Sequence, residues 1–307
     1  MKHKKKTKIT TSQTEMKLRS GVGLTRHLIS GVLCLAAIRL ICSSASAQNL
    51  FAVDPVGNYA NIDEFTRNGT QSTFASGLSG PGGLAFDSAG NLFVADAFTS
   101  GVIYKFTPDG MRSTFALGLV HPGGLTFDSA GNLFVADAGS GAVYKFTPAG
   151  VRTSFASRLG YPNGLAFDSA GNLFVADGGD ILKFTQSGTR STFASGFFSS
   201  FALAFDSRGN LFVADGGFAY DLIFGAAVYK FTPSGQRSTV ASEKDQVKVI
   251  PVGLAIDSAD NLFVANGASG SILRFTPSGV LRTFVSGFLP PESGCCVLIY
   301  PMAFQPR

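Results

Sequence analysis

The stretch Gly123–Leu159, GGLTFDSAGNLFVADAGSGAVYKFTPAGVRTSFASRL, decides the fold. It divides into four short apolar runs, GLTFD, NLFVAD, VYKF and RTSFAS. Between them stand SAGN, a Gly/Ser stretch and TPAG. Glycine supplies positive φ, proline fixes φ, and Asp and Asn close side-chain turns, so the separators read as tight turns and the runs as β-strands. No run is long enough, or 3.6-periodic enough, for a helix.

The same template recurs along the chain. Asn-Leu-Phe returns at Asn49, Asn91, Asn132, Asn172, Asn210 and Asn261, at intervals of 42, 41, 40, 38 and 51 residues. Units of about 40 residues with four strands each are propeller blades. In NLFVAD both faces are apolar: Leu133 and Val135 point one way, Phe134 and Ala136 the other. Such a strand needs packing partners on both sides, which stacked blades supply. The 29 phenylalanines provide the filling, each contributing about 1.5–3 kcal/mol when fully buried.

The ends of the repeat set the count. The first repeat opens at Asn49, in strand two of a blade, and the last ends on Met302-Ala303-Phe304-Gln305, which fits the missing strand one. The expected fold is therefore all-β: a six-bladed β-propeller of four antiparallel strands per blade, closed by a C-terminal strand that completes the first blade and leaves no large open edge.

Residues 1–47 read differently from the rest. Lys2, Lys4, Lys5, Lys6, Lys8, Lys17, Arg19 and Arg26 precede an apolar stretch, Leu28–Cys42, and then Ala45-Ser46-Ala47. This is the pattern of a secretory signal cleaved before Gln48, leaving 48–307 as the propeller and placing it outside the cytoplasm, secreted or periplasmic. No later stretch approaches the length of a membrane-spanning helix. The leader carries nine of the 25 basic residues and one of the 20 acidic ones, so the remainder has 16 basic against 19 acidic residues, net −3. A basic nucleic-acid footprint is absent. Cys34 and Cys42 fall in the leader, leaving the adjacent pair Cys295-Cys296 as a local disulfide or two idle thiols. A monomer is expected.

PNGLAFDSAGNLFVADGG at Pro162–Gly179, with its copies, resembles NHL repeats and the wider six-bladed superfamily of gluconolactonase and regucalcin. The absence of Trp sets aside the WD-type and YWTD propellers. In gluconolactonase-like members the residue after the first proline of the innermost strand faces the central channel, and acidic and Asn residues there bind a divalent metal. The matching positions are Gly82, Gly123, Asn163, Phe201, Val252 and Tyr300. Only Asn163 fits that role, and hard divalent ions need several oxygen ligands. The resemblance thus implies no resident cofactor, a Ca or Zn ion entering only if the chain were a lactone or ester hydrolase. His121 is the one His beyond the leader, which also opposes a His-dependent lyase of the streptogramin-inactivating type.

Loop lengths point to a face. Residues Phe218–Gly225 are inserted after strand two of one blade, and the connections after strand four are enlarged at Ser242–Val252 and Phe288–Tyr300. Strand alternation puts all three on one face, a binding-site signal. The expected contacts there are Tyr161, Asn163, Phe201, Tyr220, Asp221, Lys244, Tyr300 and His121. They suit a carbohydrate, a small organic ligand or a protein partner. Asp54, Asp96, Asp137, Asp177 and Asp215, with Asn266, recur after strand two and are expected to cap the turn that follows. Asp87, Asp128, Asp168, Asp206 and Asp257 are expected to cap the SAGN turns on the other face. The recurring Lys and Arg of the two outer strands are expected to guard the blade edges.

Overall fold

The computed structural model describes residues 48–56, 59–97, 101–216, 218–219, 222–223, 225–287 and 301–306. The leader, the Cys295-Cys296 pair and three candidate contacts, Tyr220, Asp221 and Tyr300, lie outside the described residues.

Six four-stranded antiparallel sheets form a propeller. The first blade holds β1 (Leu50–Val56), β2 (Tyr59–Phe65) and β3 (Gln71–Leu78). The second holds β4 (Pro81–Phe86), β5 (Leu92–Asp96), β6 (Val102–Phe106) and β7 (Arg112–Ala116). The third is β8 (Pro122–Phe127), β9 (Leu133–Asp137), β10 (Ala142–Phe146) and β11 (Arg152–Ala156). The fourth is β12 (Pro162–Phe167), β13 (Leu173–Asp177), β14 (Asp180–Phe184) and β15 (Arg190–Ser195). The fifth contains β16 (Ser200–Phe205) and β17 (Leu211–Asp215), then a small hairpin of β18 (Phe218–Ala219) and β19 (Leu222–Ile223), then β20 (Ala227–Phe231) and β21 (Arg237–Ser242). The sixth is β22 (Pro251–Ile256), β23 (Leu262–Asn266), β24 (Ser271–Phe275) and β25 (Leu281–Val285). Finally β26 (Met302–Phe304) pairs with β1, with Leu50 opposite Phe304 and Ala52 opposite Met302, and closes the ring as the sequence predicts.

Phenylalanine joins the blades. Phe134 of β9 meets Phe167 of β12 at 5.0 Å between ring centres, 82° apart in plane. The same edge-to-face contact recurs as Phe51–Phe86, Phe93–Phe127, Phe174–Phe205 and Phe263–Phe304. Such pairs add about 0.5–1.5 kcal/mol beyond the area they bury. Between the fifth and sixth blades the matching residue is Ile256. There a polar latch stands instead: Asp260, at φ 60°, accepts the Ser207 N–H at 2.8 Å and its hydroxyl at 2.6 Å. Those two bonds hold the Asp260 carboxyl below its ordinary pKa.

The turns behave as their residues dictate. Asp128 Oδ1 accepts the Ala130 and Asn132 N–H groups at 3.0 and 2.8 Å, and Gly131 takes φ 78°. The basic residues have more specific partners than edge protection requires. Lys145 Nζ lies 3.5 Å from Asp128 Oδ2 and 5.3 Å from the Phe134 ring centre, and Lys105 and Lys183 repeat the arrangement. Arg112, Arg152 and Arg237 lie over Tyr104, Tyr144 and Tyr229 of the neighbouring strand. These cations tie a turn or an outer strand to its own blade. No helix among the described residues is long and apolar enough to cross a membrane.

Candidate functional site

The innermost strands β4, β8, β12, β16, β22 and β26 stand around the propeller axis. Their close approach requires glycine. A Cβ on Gly83 would lie 2.1 Å from the Gly123 carbonyl oxygen, and one on Gly124 would lie 2.2 Å from that of Asn163. The repeated Gly-Gly is therefore a packing requirement between adjacent inner strands, and it leaves a channel wall made largely of backbone.

The waist of the channel is apolar. Leu84, Leu125, Leu165, Leu203 and Leu254 occupy one register position, with Met302 at that position in the sixth strand, and all are buried. They line a small cavity of about 70 Å³. The polar side chain in its wall is Asn163, only 6% exposed and without a hydrogen-bond partner among the described residues. Phe201 lies beside it in the same wall. Val252 turns elsewhere, fully buried in the apolar cluster shared with the first blade.

Toward the loop-rich face the rim is apolar and aromatic. Val120, Tyr161 and Phe198 are 64%, 50% and 55% exposed, in the connections that lead into β8, β12 and β16. The rings of His121 and Tyr161 lie 6.4 Å apart. The structure thus brings Asn163 and Phe201 together in the channel wall and His121 and Tyr161 together on the rim. Lys244 is exposed in the turn that follows β21, away from the lining of the cavity.

The recurring carboxylates at the ends of the second strands are structural, but their partners differ from expectation. Asp137 Oδ1 accepts the His121 N–H at 2.7 Å, and its Oδ2 accepts that of Val120 at 3.0 Å. Asp96, Asp177 and Asp215 hold the matching connections ahead of β4, β12 and β16. Each cap therefore reaches back to the connection before its blade, rather than to the turn that follows. The reason is register: Pro122 pairs with Asp137, which brings the end of β9 beside the incoming chain. Asn266 does both, accepting from Ile250 and from Ala268. These carboxylates are spent on backbone donors beneath the rim, and among the described residues no group of three or more His, Cys, Asp or Glu side chains could hold a metal ion.

Sequence reading missed the leucine ring and the exposed Val120 and Phe198. The ring was signalled by the Leu in the second position of five GLAF-like runs, with Met302 in the sixth. The two rim residues had no signal, because they fall in connections whose sequence varies between blades.

No family model matches the chain, and no curated protein matches it in sequence. Solved structures do resemble it. A chain of a nidogen–laminin complex superposes with a TM-score of 0.68 at 17% identity, covering 84% of this chain and 98% of that one. A gluconolactonase from Xanthomonas campestris gives 0.60 at 15%, covering 77% and 84%. A streptogramin B lyase gives 0.57 at 15%, covering 78% and 74%. At such identities the likeness establishes the fold alone, a six-bladed propeller, and leaves activity open.

Proposed function

We propose that this chain is an exported binding module that takes a carbohydrate, a small organic ligand or a segment of a protein partner at the mouth of its central channel. One observation carries the reading. Asn163 is buried, unpartnered and set in a channel wall of backbone and apolar side chains, below a rim of exposed Val120, Tyr161 and Phe198 with His121. Sites of this kind combine apolar and aromatic walls with a few convergent polar groups. An aromatic rim stacks on apolar ring faces, and the Asn amide both donates and accepts. Tyr220, Asp221, Lys244 and Tyr300 belong to the same proposal as contacts from the enlarged loops, and the leader-like residues 1–47 supply the export.

The alternative is a metal-dependent lactone or ester hydrolase, in which Asn163 would be one metal ligand. Ca²⁺ takes six to eight oxygen ligands, and catalytic Zn²⁺ takes three protein ligands. The side chains lining the cavity offer one, so binding is the reading they favour.

The test is a thermal melt of the purified protein after EDTA treatment. It would be titrated with Ca²⁺, Mg²⁺, Mn²⁺ and Zn²⁺, and separately with neutral mono- and oligosaccharides. The expected result is a saturable shift with a saccharide, lost in Asn163→Ala and weakened about tenfold in Tyr161→Ala. One such loss corresponds to about 1.4 kcal/mol of binding energy. A metal-dependent shift that disappears in Asn163→Ala would replace this reading with the hydrolase.

A further inference from the structure

The ring closes where the chain ends meet, and the closure leaves a second cavity far from the channel mouth in the fold. In the other blades an unbroken D-S-x-x-N turn joins strands one and two. In the first blade that turn is split between Gln305-Pro306 and Gln48-Asn49. The Gln48 side chain spans the gap: its Oε1 accepts the Ser258 N–H at 2.8 Å and its Nε2 donates to the Gln305 carbonyl at 3.2 Å. Around this clasp lies a cavity of about 170 Å³ between the sixth and first blades, floored by phenylalanines and walled by Arg274, Asn261, Asp257 and Arg67.

Arg274 departs from the repeat. At its position in β6, β10 and β14 stand Lys105, Lys145 and Lys183, each within 3.9 Å of its own turn carboxylate. In the sixth blade that carboxylate, Asp257, keeps the same turn bonds as its counterparts, from the Ala259 and Asn261 N–H groups and from Asn261 Nδ2, but forms no ion pair with Arg274. Arg274 Nη2 has one long bond, 3.4 Å to Asn261 Oδ1, and its Nε–H is buried without an acceptor. A buried donor left unpaired is costly and calls for a partner. Arg67, exposed beside the cavity, stands where four other blades carry Pro108, Pro148, Pro233 and Pro277. Two guanidinium groups and one carboxylate thus line the cavity, with no ion pair between them.

We propose that this cavity binds a small carboxylate or oxyanion, gripped by the Arg274 guanidinium and drawn in by Arg67. The planar fork of arginine matches a carboxylate or a tetrahedral oxyanion with two parallel hydrogen bonds, which the lysines of the other blades could not make. A cavity of about 170 Å³ has room for a compact anion.

The test is a melt of the purified protein against sodium malonate and sodium sulfate, with ionic strength held constant by sodium chloride. The expected result is a saturable rise in melting temperature. It should weaken at least tenfold in Arg274→Lys, which restores the residue of the other blades and so keeps the fold, and severalfold in Arg67→Ala. It should persist in Asn163→Ala, so this site and the channel mouth stand or fall separately. Three results would overturn the proposal: no saturable rise beyond that in chloride, which would leave water as the occupant; an equal rise in Arg274→Lys; or a rise lost in Asn163→Ala, which would put the anion in the channel.

Discussion

The carboxyl groups of Asp54 and Asp63 meet on adjacent strands of the first blade, and the meeting sets a pH dependence. Asp63 is 1% exposed and stands where other blades carry Tyr104, Tyr144 or Tyr229. Gln71 donates to its Oδ2, while Oδ1 is buried without a donor. Burial first, then the Asp63 charge and a hydrogen bond to it, push the Asp54 carboxyl up to about 6 from the ordinary 3.8. Between those values the folded chain keeps a proton that the unfolded chain releases. Stability therefore falls as pH rises through this window, and the penalty is complete above it. Asp54→Asn, which mimics the neutral acid, should stabilise by about 1–2 kcal/mol at pH 7.5, with the partial exposure of the group discounted. It should change little at pH 3.5. Urea denaturation at the two pH values checks this, and equal effects at both would refute the shared-proton account.

Ring closure rests on β26. Phe304 packs edge-to-face on Phe263 at 5.0 Å and pairs with Leu50. Phe304→Ala should cost about 2–3 kcal/mol, at the low end for a phenylalanine because the ring is only partly buried. Removing residues 301–307 should lower the melting temperature further, since it exposes the whole edge of β1. An unchanged melt in the truncated chain would sink the closure role.

The inner-strand glycines make a graded prediction. Gly124→Ala puts a Cβ 2.2 Å from the Asn163 carbonyl oxygen, while Gly82→Ala meets nothing nearer than 3.2 Å. Backbone must move in the first case and only ease in the second. Gly124→Ala should cost about 3 kcal/mol or more and Gly82→Ala less than about 1.5 kcal/mol. Chemical denaturation of the pair measures the difference, and similar costs would contradict the packing account.

Asp137 holds the rim that carries His121. Its carboxylate, 1% exposed, receives the N–H groups of Val120 and His121. Asp137→Ala should cost about 2–4 kcal/mol, because two donors lose a charged acceptor. It should also speed amide hydrogen exchange at Val120 and His121 well beyond that at the neighbouring β10. Exchange that stays slow at both positions would show that the connection is held by other contacts.

The blades, their number and the closure by Met302–Phe304 were legible in the chain because each follows from local rules. A two-residue alternation, turn residues at fixed offsets and a repeat near 40 residues act within one blade, and counting does the rest. The capping carboxylates were legible as structural for the same reason, since a residue that recurs in every blade serves the blade. Which donors Asp137 takes was not, because they lie 16 and 17 residues back and reach it only through the pairing of β8 with β9. The leucine waist, the solitary Asn163 in its wall and the unsatisfied Nε–H of Arg274 beside the split turn belong to the tertiary structure as well. Each depends on strands of different blades meeting around an axis, where distances are set by packing between units that no local pattern connects.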